Sequence, residues 1–183
     1  MNQPTPTHPP RLLPDVPLPP YSYVTGQFPH PTRDPEGHMT GHVPPSPAPL
    51  DPAQWRQSRQ YLYGLDLMNH GYYWEAHEAW EALWHAAGRG GVLGDFLKGL
   101  IKLAAAGVKV REGRSSGVVR HARRAEQLFE LTAERVAEHR LLGLSIAELL
   151  SIARRIANSP PQLPPRDAAP PVEIVFDFIL TPQ

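Results

Sequence analysis

Apolar residues recur every three to four positions through residues 53–159, which is the spacing of amphipathic α-helices. Capping and turn signals divide this stretch into about five helices. The first is expected to begin at Pro52, with Asp51 as its N-cap, and to end at Gly71. The second is expected to occupy residues 72–88, between two glycines that act as stop signals.

Three further helices are expected over residues 93–112, 115–139 and 145–158. The last of these opens with SIAE, in which Ser145 and Glu148 have the form of a capping box. The third helix, FLKGLIKLAAAGVKV, is apolar on nearly every side apart from a stripe of lysines, so we expect it to be the central helix.

Short turns make consecutive helices antiparallel neighbours. Helices 1 and 2 should therefore form one hairpin, and helices 3 and 4 another. The predicted fold class is all-α: a compact bundle of about five helices arranged as two antiparallel helix hairpins plus a terminal helix, with extended proline-rich N- and C-terminal arms.

Proline sets the limits of this bundle. Of the 23 prolines, 16 lie in residues 1–52, seven lie in residues 160–182, and none lies between. A proline inside a helix costs about 3 kcal/mol, so we divide the chain into a proline-rich arm over residues 1–50, a helical domain over 51–159 and a proline-rich tail over 160–183. The arm contains the aromatic string YSYVTGQF, so part of it is expected to pack on the bundle.

The tail ends in VEIVFDFIL, residues 172–180, where apolar positions alternate as they do in a β-strand. A single strand has no neighbour with which to form a ladder. We therefore expect the segment to lie across the helices as an extended arm, because an exposed apolar edge would favour aggregation.

Charge and composition exclude several classes of function. Lysine plus arginine number 18, equal to the 18 aspartates and glutamates, so on charge alone we expect no nucleic-acid partner. There is no cysteine, which leaves histidine and carboxylate as metal ligands. No leader-like N-terminal segment and no apolar run of about 20 residues is visible, so we expect no membrane partner and a cytoplasmic location.

The second helix carries polar residues on the side opposite its core face. At about 100° per residue, this polar face consists of His77, Glu78, Glu81 and His85, with Trp74 in its middle and Glu75 at its margin. One interpretation is a face exposed to water, which is the usual role of a polar stripe. The other is a covered site, which Trp74 favours because a large indole ring is stabilised most when it is buried.

A covered acidic face requires a positive partner, because desolvated carboxylates cost several kcal/mol unless they are paired. The partner could be a lysine of the third helix, an arginine of the fourth, or a cation. His77 and Glu81 stand at i and i+4, where two side chains can hold one divalent metal ion. Glu78 lies beside them as the candidate catalytic base of a metal-assisted hydrolase. The string H-E-x-x-E suits zinc, manganese or iron.

Further metal ligands would have to come from elsewhere in the chain. The candidates are His38 in the proline-rich arm and His121 in the fourth helix. The ordinary alternatives are a surface position for His38 and a hydrogen-bonded core position for His121. The remaining candidate ligand-binding residues are Trp74, Trp80, Trp84, Lys98 and Lys102.

The same stretch carries a family resemblance. YGLDLMNHGYYWEAHEAWEALW, FLKGLIKLAAAGVKVREG and GVVRHARRA, within about residues 60–130, resemble the family catalogued as domain of unknown function 309, small all-helical bacterial and archaeal proteins. The most specific part is Asn69, Gly71, Tyr73, Glu75, Ala76, His77, Glu78, Trp80, Glu81 and Trp84. The resemblance implies a helical fold and a prokaryotic source, but no activity, since the family has none established.

The sequence departs from this family where glutamine is expected, at Lys98 and Lys102. Lysine at these positions predicts either a salt bridge to Glu78 or Glu81, or a stripe that faces solvent. Neither alternative favours a metal at the acidic face.

Two functional hypotheses therefore stand side by side. The first is a site for a divalent metal ion or small molecule on the second helix, capped by the N-terminal arm. The second is a non-enzymatic scaffold of helix hairpins for a protein partner or a homo-oligomer, in which the His/Glu cluster is purely structural. In the second hypothesis the apolar tail would fill a groove of its own chain or of a neighbour.

Overall fold

A computed structural model describes residues 9–42, 46–163 and 168–183. Parts of both proline-rich arms, residues 1–8, 43–45 and 164–167, lie outside the described residues. The described chain is mostly helical, so the all-α prediction is confirmed. After a short 3₁₀ helix at Pro52–Gln57, the helices are α1 (Arg59–Asn69), α2 (Tyr73–Ala86), α3 (Gly91–Arg111), α4 (Ser115–Ala133) and α5 (Ile146–Asn158).

The helices pack in chain order, α1 on α2, α2 on α3, α3 on α4 and α4 on α5. This order agrees with two hairpins and a terminal helix. The apolar helix α3 lies between α2 and α4 and contributes Phe96, Leu97, Leu100 and Ile101 to the core without exposure. None of the described helices has the length and apolar character needed to cross a membrane.

The first predicted helix is divided in two. The side chain of Asp51 accepts a hydrogen bond from the backbone N–H of Ala53, as expected of an N-cap. Ser58 then has extended backbone angles and its hydroxyl accepts a bond from the N–H of Tyr61, so it is the N-cap of α1. The prediction of one continuous helix is wrong, because serine satisfies the free amides of a new helix start better than it continues an old one.

The fourth helix ends at Ala133, whereas the sequence predicted an end near His139. A two-stranded antiparallel hairpin follows, β1 (Arg140–Leu141) and β2 (Leu144–Ser145). The reason is tertiary: the hairpin turn buries Leu142, whose carbonyl accepts a hydrogen bond from the Tyr61 hydroxyl at 2.9 Å. The predicted N-cap of the fifth helix is confirmed, since the side chain of Ser145 accepts a bond from the N–H of Glu148.

Both arms lie on the bundle. The tail is extended without a ladder, and its residues Phe176 and Leu180 are buried. The N-terminal arm contributes Leu13 and Val24 to the core. The two arms also meet, because the backbone N–H of Ser22 donates to the carbonyl of Pro171 at 2.9 Å.

Candidate functional site

The N-terminal arm covers the first turn of α2. The indole of Trp74 makes edge contacts with the rings of Tyr23, at 5.5 Å between centroids, and His30, at 5.7 Å. Trp74 therefore sits against aromatic side chains on the polar side of α2, which explains why an indole is found on that side.

Under the same part of the arm, Glu75 is buried. Its Oε1 accepts a hydrogen bond from the backbone N–H of Tyr23 at 2.9 Å and lies 3.4 Å from Nε2 of His38. The side chains of Glu75 and His38 are only 4% and 8% exposed. The structure therefore places His38, a candidate metal ligand, against Glu75 and not beside His77 and Glu81.

One turn further along α2, three candidate residues come together. Ligand atoms of His77, Glu78 and Glu81 all lie within 4.8 Å of one another. Nδ1 of His77 is 3.3 Å from Oε1 of Glu78. The Glu78 and Glu81 side chains are 43% and 33% exposed, so this cluster opens to solvent while Glu75 does not.

A lysine of α3 provides the positive partner of this cluster. Nζ of Lys98 lies 3.9 Å from Oε1 of Glu81 and 3.6 Å from the centre of the Trp84 ring. Of the two roles the sequence allowed for lysine here, the salt bridge is observed, and the ammonium also makes a cation–π contact. Trp80 does not line the cluster: it is fully buried in the core, and its indole N–H donates to the carbonyl of Tyr61 at 3.4 Å.

The other two predicted residues, Lys102 and His121, line a groove of about 530 Å³ between α3 and α4. Burial, together with the neighbouring Lys98, lowers the pKa of Lys102. Burial and the charge of Lys102 lower the pKa of His121 to about 4. His77 and His121 are close enough to interact electrostatically, so the groove adjoins the acidic cluster.

Acid is expected to destabilise the folded chain partly through His121. Its folded pKa is about 4, and in the unfolded chain the value is about 6.5. The neutral His121 therefore makes its full contribution to the free energy of unfolding above pH 6.5, and this contribution is lost as the pH falls from 6.5 towards 4. Urea unfolding at pH 7.5 and pH 5 measures this effect. Between these two pH values, we expect the free energy of unfolding of His121→Gln to fall by about 1 kcal/mol less than that of the wild type, after allowing for solvent screening. Equal losses in the two proteins would contradict this assignment.

Two features of the site were not predicted. Glu75 is the buried carboxylate of α2, whereas the sequence predicted that it would lie at the margin of the polar face. This burial could not be predicted, because the arm that covers Glu75 has no periodicity from which its path follows. Arg120 and Arg124, which were not among the candidate site residues, line the groove with Lys102. Their i, i+4 spacing beside His121 was the available signal.

Comparison with known families agrees with the motif. The family model described as a domain of unknown function, DUF309, matches residues 61–121, which span most of α1, all of α2 and α3, and the start of α4. This match confirms the resemblance over the part of the chain that carries the His/Glu cluster. Among curated proteins, none matches the chain.

Proposed function

We propose that this protein, whose residues 61–121 match DUF309, a family of unknown function, binds a divalent metal ion. The ion would lie on the exposed face of α2, with His77, Glu78 and Glu81 as its protein ligands. The observation that carries the proposal is the approach of one ligand atom from each of these residues to within 4.8 Å of the others. Two ligands of one ion lie at most about 4.2 Å apart when each is about 2.1 Å from the metal. Small rotations of exposed side chains are enough to close that gap.

The local charge supports a cation despite Lys98, although the sequence predicted that a lysine at this position would disfavour a metal. Glu78 and Glu81 bring two negative charges, and Lys98 approaches only Glu81, at 3.9 Å. That distance is longer than the 2.7–2.9 Å typical of a charge-assisted hydrogen bond, so the carboxylate oxygens retain lone pairs for a metal. Lys98 then neutralises part of the charge without occupying the ligand positions.

The ligand set indicates which metals to test. One imidazole nitrogen with two carboxylates suits Zn²⁺, Mn²⁺ or Fe²⁺, and the chain has no thiolate to select a softer ion. Three protein ligands leave a coordination position for water, and a bound metal lowers the pKa of that water. Metal-assisted hydrolysis is therefore the reaction class we propose.

Metal binding by purified protein tests the proposal. Titration calorimetry with Zn²⁺ and Mn²⁺ is expected to give one ion per chain for the wild type, and His77→Ala or Glu81→Gln should weaken binding by at least about 100-fold. His85→Ala is the matched control, because His85 lies on the same helix but bonds with Arg89. Absence of binding in the wild type, or equal loss in the His85 variant, would refute the metal site.

The second hypothesis, a scaffold for a protein partner, is supported by a different observation. The apolar tail lies on α2 and α3 of its own chain, with Phe176 in edge contact with Tyr73. A neighbouring chain could supply the same segment, which would make a homo-oligomer by exchange of tails. For either function we propose a cytoplasmic location in a prokaryote, with no membrane partner and no nucleic acid.

A further inference from the structure

We propose that the groove between α3 and α4 is an anion site that binds a small phosphate-bearing molecule. Its lining residues are Lys102, Arg120, His121, Arg123, Arg124 and Gln127. All six carry polar side chains, four of them are cations, and none is acidic. A groove of about 530 Å³ has room for a diphosphate group and part of the molecule attached to it.

The cations of this groove are poorly neutralised by the protein itself. Arg123 bonds to Glu126 and to Asn158. Arg124, in contrast, bonds among the described residues only to the neutral amide of Gln127, at 3.0 Å. Within residues 9–42, 46–163 and 168–183, no carboxylate forms an ion pair with Lys102, Arg120 or Arg124.

Their arrangement costs stability without a ligand. Arg120 and Arg124 stand at i and i+4 on one face of α4, where like charges repel. Lys102 faces them from α3, and its lowered pKa has the charges of both arginines among its causes. A multiply charged anion would reverse this repulsion, because each cation would then gain a partner.

The donor types favour phosphate over a carboxylate. Two guanidinium groups offer flat pairs of N–H donors, and the lysine adds a point charge. His121, whose pKa is lowered to about 4, is neutral at pH 7 and offers one ring N–H without a further charge. Donors that approach from two helices match the several acceptor oxygens of a tetrahedral phosphate better than the two of a carboxylate.

This groove also lies beside the acidic cluster of α2. Lys102 interacts electrostatically with Glu81, and His121 with His77. A phosphate held in the groove would therefore be near an ion bound by His77, Glu78 and Glu81. The anion site itself does not depend on the metal, since its donors belong to α3 and α4.

Binding of pyrophosphate to the full chain tests the proposal, with metal removed by EDTA and dialysis so that the metal site cannot contribute. Calorimetry is expected to show one pyrophosphate per chain, with affinity that falls as salt rises. We expect Lys102→Gln or Arg124→Gln to weaken binding about 10-fold, and Arg120→Gln/Arg124→Gln about 100-fold. The arginines are exposed, so the double variant should fold even if the Lys102 variant does not.

Arg59→Gln is the matched control, because it removes one arginine charge from α1, where Arg59 pairs with Asp15. It should bind pyrophosphate as the wild type does. No pyrophosphate binding, or an equal loss in the Arg59 variant, would overturn the proposal. Tighter binding of a single-stranded oligonucleotide, with a salt dependence of several phosphate contacts, would overturn it in favour of a nucleic-acid surface.

Discussion

Replacing Asp66 with alanine is expected to lower the free energy of unfolding by about 3–5 kcal/mol, because it removes one partner of a buried ion pair. The Asp66 side chain is 1% exposed, and its Oδ2 lies 3.0 Å from Nε of Arg11. Its two oxygens also accept the backbone N–H groups of Leu12, at 2.7 Å, and Leu13, at 2.9 Å. Alanine would leave the Arg11 guanidinium without its counter-ion and the two amides without their acceptor.

Urea unfolding measures this loss, and the chain provides a control. Asp15 also pairs with an arginine, Arg59, but both side chains are more than 60% exposed. Asp15→Ala should therefore change stability little, because exposed ion pairs are screened by water. If the two variants lost similar stability, the arm would not be fastened to α1 through Asp66. The Asp66 variant should in addition become sensitive to protease in the arm before global unfolding.

The helices of the bundle follow from local signals in the sequence. Apolar spacing located α2, α3 and α5, and the capping box at Ser145 located the start of α5. These predictions hold because spacing and capping depend on residues within one turn of each other. The early end of α4 depends instead on the burial of Leu142 against Tyr61, two residues far apart in sequence. No local pattern reports such a contact.

The candidate site divides in the same way. His77, Glu78 and Glu81 come together because helical spacing alone brings positions i, i+1 and i+4 to one region of the surface. The approach of Lys98 from α3 is the salt bridge that a lysine at this position predicted as one of two alternatives. The partner of His38 could not be predicted, because a proline-rich arm has no periodicity and its path is set by the surface it covers.

The side chains of helix α2 therefore lie in three different environments. Trp80 and Leu83 belong to the core, Trp74 and Glu75 lie beneath the arm, and the cluster at its middle faces solvent. The arm therefore fixes the first turn of α2, while the carboxylates beyond it keep access to solutes. A site that exchanges a ligand needs both properties, a rigid support and an open side.

Replacing Phe176 with alanine is expected to destabilise the protein by about 3 kcal/mol, the lower part of the range for a buried phenylalanine. The ring of Phe176 contacts Tyr73 at 5.3 Å and stacks on Phe178 at 5.1 Å. A Cβ added to Gly107 would be 2.5 Å from the Tyr73 ring and 3.0 Å from the Phe176 ring, so this glycine makes room for both rings. We expect the tail to detach before the bundle unfolds, because no β-ladder holds it.

Ile179→Ala is the matched control, because Ile179 belongs to the same tail but is 52% exposed, against 8% for Phe176. Its stability should change by less than about 1 kcal/mol. Hydrogen exchange of the Val175 amide, which donates to the Tyr73 hydroxyl at 2.8 Å, would report detachment of the tail. We expect faster exchange of this amide in the Phe176 variant alone, because the Phe176 ring packs on Tyr73, the acceptor of the amide. Tyr73 is also the first residue of α2, so it links the tail to the helix that carries the site. Equal effects of the two substitutions would mean that the tail has no preferred face on the bundle.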